Sequence, residues 1–134
     1  MIEAIFVSKK VRMTSMRKLI YEVLVKENRA LSLAEIEATF DKVDKTTIFR
    51  TLKTFQKHCL VHRIDDGTGV LKYALCPEHC TCTKTDLHLH FSCSQCENTY
   101  CLNDSPIPEV KISKGFRIDH SSFILKGICQ KCNQ

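Results

Sequence analysis

Apolar residues recur at helical spacing along the first part of the chain. Met16, Leu19, Ile20, Val23 and Leu24 fall at i, i+3, i+4, i+7 and i+8, one apolar stripe of an amphipathic helix. Thr14 or Ser15 can cap its start, and "ENR" at 27–29 ends it. A second, short helix begins at Ser32. There "SLAE" has the form of a capping box, in which the Ser32 side chain takes the Glu35 amide and Glu35 reaches back. Leu33, Ile36 and Phe40 form its buried face. A third helix starts after Asp44, a good N-cap, and runs through "KTTIFRTLKTFQKHC". Ile48, Leu52, Phe55 and Cys59 share one side of it, and Thr46, Phe49, Arg50, Lys53 and Lys57 share another. "LVHRI" and "VLKYAL" then read as two strands around the turn "DDGTG". Three helices followed by a hairpin outline a winged helix-turn-helix over residues 1–75.

The pattern changes after Cys76. Residues 76–86, "CPEHCTCTKTD", are polar, contain proline and lack periodicity, and read as a hinge. Beyond it, "LHLHFSC" alternates like a strand, with "NTYCL" as its partner. "SPIPE" breaks the chain, a short helix is expected between Pro108 and Gly115, and "FRID" and "SFILKG" suggest further short strands. The expected fold class is α+β: a winged helix-turn-helix, then a small α/β domain over residues 87–134.

Charge and cysteine content narrow the picture. The formal net charge is +5, and residues 1–70 hold 13 Lys and Arg against 9 Asp and Glu. Lys9, Lys10, Arg12, Arg17 and Lys18 form a run without an acid, usually a solvated arm but evidence for nucleic acid when a recognition element follows. No apolar run has the length of a membrane span, and the N-terminal segment lacks the charge order of a secretion signal. The expectation is a cytoplasmic protein with no membrane partner. Nine cysteines, an odd number, argue against a disulfide scaffold and for metal.

Cys93 and Cys96 form one C-x-x-C, and Cys129 and Cys132 another. Four thiolates suit tetrahedral zinc, and in a small domain such a site contributes folding free energy. The other reading, a redox dithiol in each pair, lacks a thioredoxin-like context. On a strand, His88 and His90 point to one face, and Leu87, Leu89 and Phe91 to the other. Two exposed histidines on an amphipathic strand would look the same. The company matters: His62 lies on the first wing strand, Cys76 closes the second, and Cys101 sits on the proposed partner strand. A site built from these would span both domains.

In order, "TSMRKLIYEVL", "LSLAEIEATF", "DKTTIFRTLKTF", "LVHRIDDGTGVLKYAL", "HLHFSCSQC" and "GICQKC" resemble the ferric uptake regulator family of bacterial metal-responsive repressors. The resemblance runs from about Thr14 to Cys132. It implies an N-terminal winged helix, a C-terminal dimerisation domain, and a homodimer bound to double-stranded palindromic operator DNA. It also implies a structural zinc on Cys93, Cys96, Cys129 and Cys132, and a regulatory zinc or other metal at a sensing site containing His88 and His90. Arg50 matches the arginine of the recognition helix, and Phe49 stands where most members carry tyrosine. Thr46, Thr47, Phe49, Arg50, Lys53 and Arg17 are the expected DNA-contacting residues.

Iron and peroxide sensors of the family usually take a histidine from just before the second helix. Here "NRALS" has none. A sensing set of His62, Cys76, His88 and His90 resembles the zinc-responsive branch instead, and a thiolate with imidazoles favours Zn²⁺ over Fe²⁺ or Mn²⁺. The alternative is an iron, nickel or manganese sensor on the same scaffold. Cys101 stands where several members carry a carboxylate ligand, and is either an additional ligand or a buried apolar-type cysteine. Leu87 and Leu89 replace residues of a further family site, leaving His120 as surface or structural. His79, Cys80 and Cys82 in the hinge bind a further metal, respond to oxidation through a cysteine pair, or simply decorate a loop. An enzyme is not expected: neither H-E-x-x-H nor an H-x-E partner to a P-C-x-x-C is present. A zinc-ribbon interaction module would need the four cysteines alone, without His62, Cys76 and His90.

Overall fold

In the computed structural model, which describes residues 2–65, 67, 69–76, 89–102, 107–118 and 123–134, the helical part begins earlier than the pattern suggests. Helix α1 (Ile2–Ser8) precedes the first expected one. Its signal is short: Ile2, Ile5 and Phe6 repeat at helical spacing for a single turn. Phe6 is buried and stands edge-on to Tyr21, at 5.4 Å between ring centroids, and to Phe55, at 5.7 Å. Such edge-to-face pairs add to the area the rings bury.

The next helices start and stop where their caps dictate. Helix α2 (Ser15–Glu27) opens on Thr14, whose hydroxyl accepts the Arg17 amide, and closes on left-handed Asn28. A two-residue strand, β1 (Leu31–Ser32), leads into α3 (Leu33–Glu37), with both bonds of the capping box in place. Helix α4 (Lys45–Lys57) is capped by Asp44, which accepts the Thr47 amide at 2.7 Å. That bond holds the Asp44 carboxyl below its ordinary pKa. Ile20, Leu24, Leu31, Ile36, Ile48, Leu52 and Phe55 meet in one buried core. Cys59 departs from the expectation of a helical core position. The helix ends at Lys57, and Cys59 lies beyond it, half-buried, with a left-handed φ of 61°.

The wing is a hairpin of β2 (Val61–Asp65) and β3 (Leu71–Leu75), which β1 extends to the antiparallel order β1-β3-β2. A second sheet has β4 (Leu89–Cys93) at its centre, antiparallel to β5 (Thr99–Leu102) and parallel to β6 (Ile124–Gly127). Gly127 lies under the Phe91 ring, and a Cβ there would meet the ring at 3.2 Å, so the parallel pair closes on a residue without a side chain.

Two expected elements do not form. Residues 107–113 are irregular where a helix was expected between Pro108 and Gly115, and 116–118 of the expected strand "FRID" are irregular too. Val110, Ile112, Phe116 and Ile118 are exposed, Phe116 at 72%. The described residues provide no apolar surface for them, and β-branched Val110 and Ile112 favour a helix weakly without one. Of the hinge, 77–86 lies outside the described residues, as do Leu87, His88 and His120, and with them His79, Cys80 and Cys82. Among the described residues no helix is long and apolar enough to cross a membrane.

The two sheets touch. The Ala30 amide donates to the Thr99 carbonyl at 2.8 Å, forming an isolated antiparallel bridge. Ala30, Ile64 and Ala74 pack with Cys101 and Ile124 in a small apolar cluster. Lys72, on β3, reaches Glu97 and Thr99.

Candidate metal centres

Among the described residues, two groups of metal-ligating side chains converge. The first is Cys93, Cys96, Cys129 and Cys132, whose sulfurs lie within 4.8 Å of one another. Cys93 ends β4, the turn at 94–96 returns the chain to Cys96, and β6 delivers Cys129 and Cys132 beside it. Parallel pairing of β4 with β6, Cys93 opposite Gly127, aligns the two C-x-x-C turns. Cys96 and Cys129 stand 3.7 Å apart at sulfur. A tetrahedron with Zn–S arms of about 2.3 Å has edges of roughly 3.8 Å, so the donor set and its spacing fit zinc.

Backbone amides prepare this group for a cation. The amides of Cys96 and Cys129 each donate to the Cys93 sulfur at 3.4 Å. They draw its pKa down to about 6, so the thiolate is accessible at neutral pH. The Cys132 amide lowers Cys129 in the same way. Cys132 moves the other way, to about 12, chiefly because of the neighbouring Cys129 sulfur. Thiols crowded this closely resist ionising together unless a cation joins them.

The second group is His62, His90 and Cys101, with donor atoms also within 4.8 Å of one another. His62 comes from β2 of the wing. His90, on β4, and Cys101, on β5, are direct cross-strand partners. The Nε2 atoms of His62 and His90 are 3.0 Å apart, and the Cys101 sulfur is 3.3 Å from His62 Nε2. All three are half-buried. Burial pushes the Cys101 thiol up to about 12, so it stays protonated until a cation displaces the proton.

Cys76 was expected among these ligands and is brought to a different place. Its sulfur lies 3.4 Å from His62 Nδ1, the ring nitrogen other than the one that meets His90 and Cys101. The reason is positional. Cys76 follows β3 and its amide is tied to the Leu60 carbonyl, which directs its side chain behind His62. Cys101 occupies the place among the donors. His88 lies outside the described residues.

The expected DNA-contacting residues fall on one exposed surface with one exception. Thr46, Thr47, Phe49, Arg50 and Lys53 line the outer side of α4, with Phe49 41% exposed and the Lys53 ammonium 5.4 Å from its ring centroid. Arg17 is half-buried, and its guanidinium donates to the Arg12 carbonyl at 2.8 Å, where it ties the arm to α2.

Comparison with known proteins bears on this arrangement. The chain is similar in structure to a zinc uptake regulator complexed with zinc and DNA, at 18% identity and a TM-score of 0.67, covering 98% of this chain and 89% of that one. A zinc-bound manganese uptake regulator matches at 19% identity and a TM-score of 0.61, over 95% and 97% of the two chains. The ferric uptake regulator of Vibrio cholerae matches at 19% identity and a TM-score of 0.60, over 92% and 96%. At such identities these likenesses establish the fold. Among curated protein sequences no significant match is found. Residues 8–126 match the sequence model of the ferric uptake regulator family, and the chain therefore belongs to that family of metal-responsive transcription regulators.

Proposed function

We propose that this protein is a zinc-responsive repressor that binds double-stranded operator DNA as a homodimer and controls metal-uptake genes in the cytoplasm. The observation that carries the reading is the second group. His62 comes from the wing, His90 and Cys101 come from the other sheet, and their donors meet within 4.8 Å. Ligands from both halves around one ion restrict how the halves are placed, and an effector with that preference shifts the population toward one placement. Two imidazoles and a thiol favour zinc over iron or manganese. In this reading residues 1–75 bind DNA, 76–86 are the hinge, and 87–134 form the dimerisation domain. Cys93, Cys96, Cys129 and Cys132 hold a structural zinc. His62, His90 and Cys101 hold the regulatory ion, and His88 is the further ligand that the family resemblance implies.

Thr46, Thr47, Phe49, Arg50 and Lys53 present α4 to the major groove, where an exposed ring suits a thymine methyl and the basic groups suit phosphates. A dimer would set two such helices about one DNA turn apart. Exposed Phe116, Val110, Ile112 and Leu125 on the C-terminal part support a second copy as their cover.

The test is fluorescence anisotropy on a duplex selected from a random library, at buffered free Zn²⁺. Binding is expected to appear as zinc rises. His90→Ala is expected to abolish that response while the dimer stays folded with its four-cysteine ion. DNA binding indifferent to zinc would sink the proposal.

A further inference from the structure

The turn carrying Cys93 and Cys96 meets the helical part of the chain at one buried cation. Lys72 is only 8% exposed. Its ammonium donates to the Glu97 carbonyl at 2.9 Å and to the Thr99 hydroxyl at 3.0 Å. The two acceptors lie one and three residues beyond Cys96. Thr99 is itself fully buried, and its carbonyl accepts the Ala30 amide at 2.8 Å. One residue of β5 thus takes a bond from β3 and another from the segment between α2 and β1.

A buried ammonium is tolerated only while oxygens replace its lost water. The position of the Glu97 carbonyl therefore matters to Lys72, and the cysteine turn sets that position. Glu97 has a left-handed φ of 64°, strained for a residue with a side chain. Its amide donates to the Cys93 carbonyl at 3.0 Å, and the Cys93 amide donates to the Asn98 carbonyl at 2.9 Å. The Cys96 amide reaches the Cys93 sulfur. Every one of these bonds begins or ends within the loop that Cys93 and Cys96 close when they share an ion. When they do not, the strained turn loses its clamp, and the carbonyl that Lys72 needs gains freedom.

We propose that Lys72 is a positioning residue that couples the state of the four-cysteine site to the placement of the wing and the helices packed on it. The four cysteines then hold more than their own sheet. They fix the acceptors that dock the wing, so that His62 arrives beside His90 and Cys101. The inference rests on the four cysteines binding metal, but not on zinc sensing or repression.

Amide hydrogen exchange on the full chain, without DNA, tests it. In the wild type, stripping the metal with a chelator under reducing conditions is expected to speed exchange at Ala30 about tenfold, the order of one charge-assisted hydrogen bond. Lys72→Met is expected to retain its four-cysteine ion and slow exchange in α4, yet to exchange at Ala30 at the stripped rate, with little further change on stripping. That non-additivity is the signature of coupling, which loss of stability alone would not produce. Lys72→Arg, which keeps charge and donors, is expected to recover part of the protection. Wild-type protection at Ala30 in Lys72→Met, or no response to stripping in the wild type, overturns the proposal. Should Lys72→Met not fold, Thr99→Val removes one acceptor at similar volume. Unchanged exchange at Ala30 in that variant would overturn the proposal equally. Metal content measured on the same samples separates a failure of coupling from a failure of metal binding.

Discussion

Around Phe55, helices α1, α2 and α4 bury Phe6, Ile20, Tyr21, Leu24, Ile48 and Leu52 in a continuous apolar core. Around Cys93, three short strands bury little besides Cys93, Cys129 and Thr99, while Leu125, Ile128 and Phe116 remain exposed. The first region supplies its own hydrophobic driving force, at roughly 1.5–3 kcal/mol per fully buried large side chain. The second buries too little for that, and four converging thiols stand where a bound ion would supply the rest. Two ways of specifying structure stand side by side in one short chain, joined across Ala30, Lys72 and Thr99.

The contrast is broken most severely at the cysteines. Cys96→Ser, or removal of the metal, forfeits a binding free energy of about 10–16 kcal/mol by comparison with small zinc domains. The expected outcome is loss of the resonances of β6 and of the turn at 94–98 in two-dimensional NMR, with those of the β4–β5 pair and of α4 retained. Collapse of both sets together would mean that the helical part cannot stand alone. A smaller effect is expected from the other side. Phe55→Ala opens a cavity among Phe6 and Tyr21 and should cost about 3–5 kcal/mol, seen in the denaturation midpoint. The four-cysteine metal content should not change at temperatures where the variant is folded. The mildest prediction compares the two metal groups. Cys101 has its pKa pushed up to about 12, so below that value it is a neutral thiol and must lose a proton to bind a cation. Affinity at the His62 group should therefore rise about tenfold per pH unit between about pH 6 and pH 8, from this thiol alone. Cys101→Ser should flatten the profile. A wild-type profile already flat would remove Cys101 from the ligands.

Features specified by near neighbours could be read from the chain. The caps at Thr14, Ser32 and Asp44 act over three residues, and the stripes of α2 and α4 act over one turn. Each C-x-x-C is likewise local, which made the convergence of Cys93, Cys96, Cys129 and Cys132 easy to expect. Distant surfaces decided the rest. Helix α1 holds because Phe6 finds Tyr21 and Phe55, and its single turn of pattern is too short to announce that. The segment after Pro108 has helical-looking residues but no surface within the described chain to bury them. Lys72 alternates in "VLKYAL" like a solvent-facing residue, yet the second sheet covers it. The direction of Cys76 behind His62 follows from where β3 ends and how its amide is tied, which spacing alone does not encode. The pairing of His62 with His90 was expected from the ligand pattern and a family resemblance rather than from periodicity, whereas Cys101 could be read from the chain as either a ligand or a buried thiol.

The parallel pairing of β4 with β6 also sets an order of events during synthesis. β4 and its cysteine pair are synthesised before β6 and Cys129, and at about 5–20 residues per second Cys132 follows Cys96 by roughly 2–7 s. The core around Phe55 is drawn from residues no later than Leu75, so all its side chains are already made in that interval. For those seconds the nascent chain carries the α4 face and the wing with no second sheet beside them. It also carries two thiols whose later companions are still to be made, a window in which a chaperone or a competing metal would meet half a site.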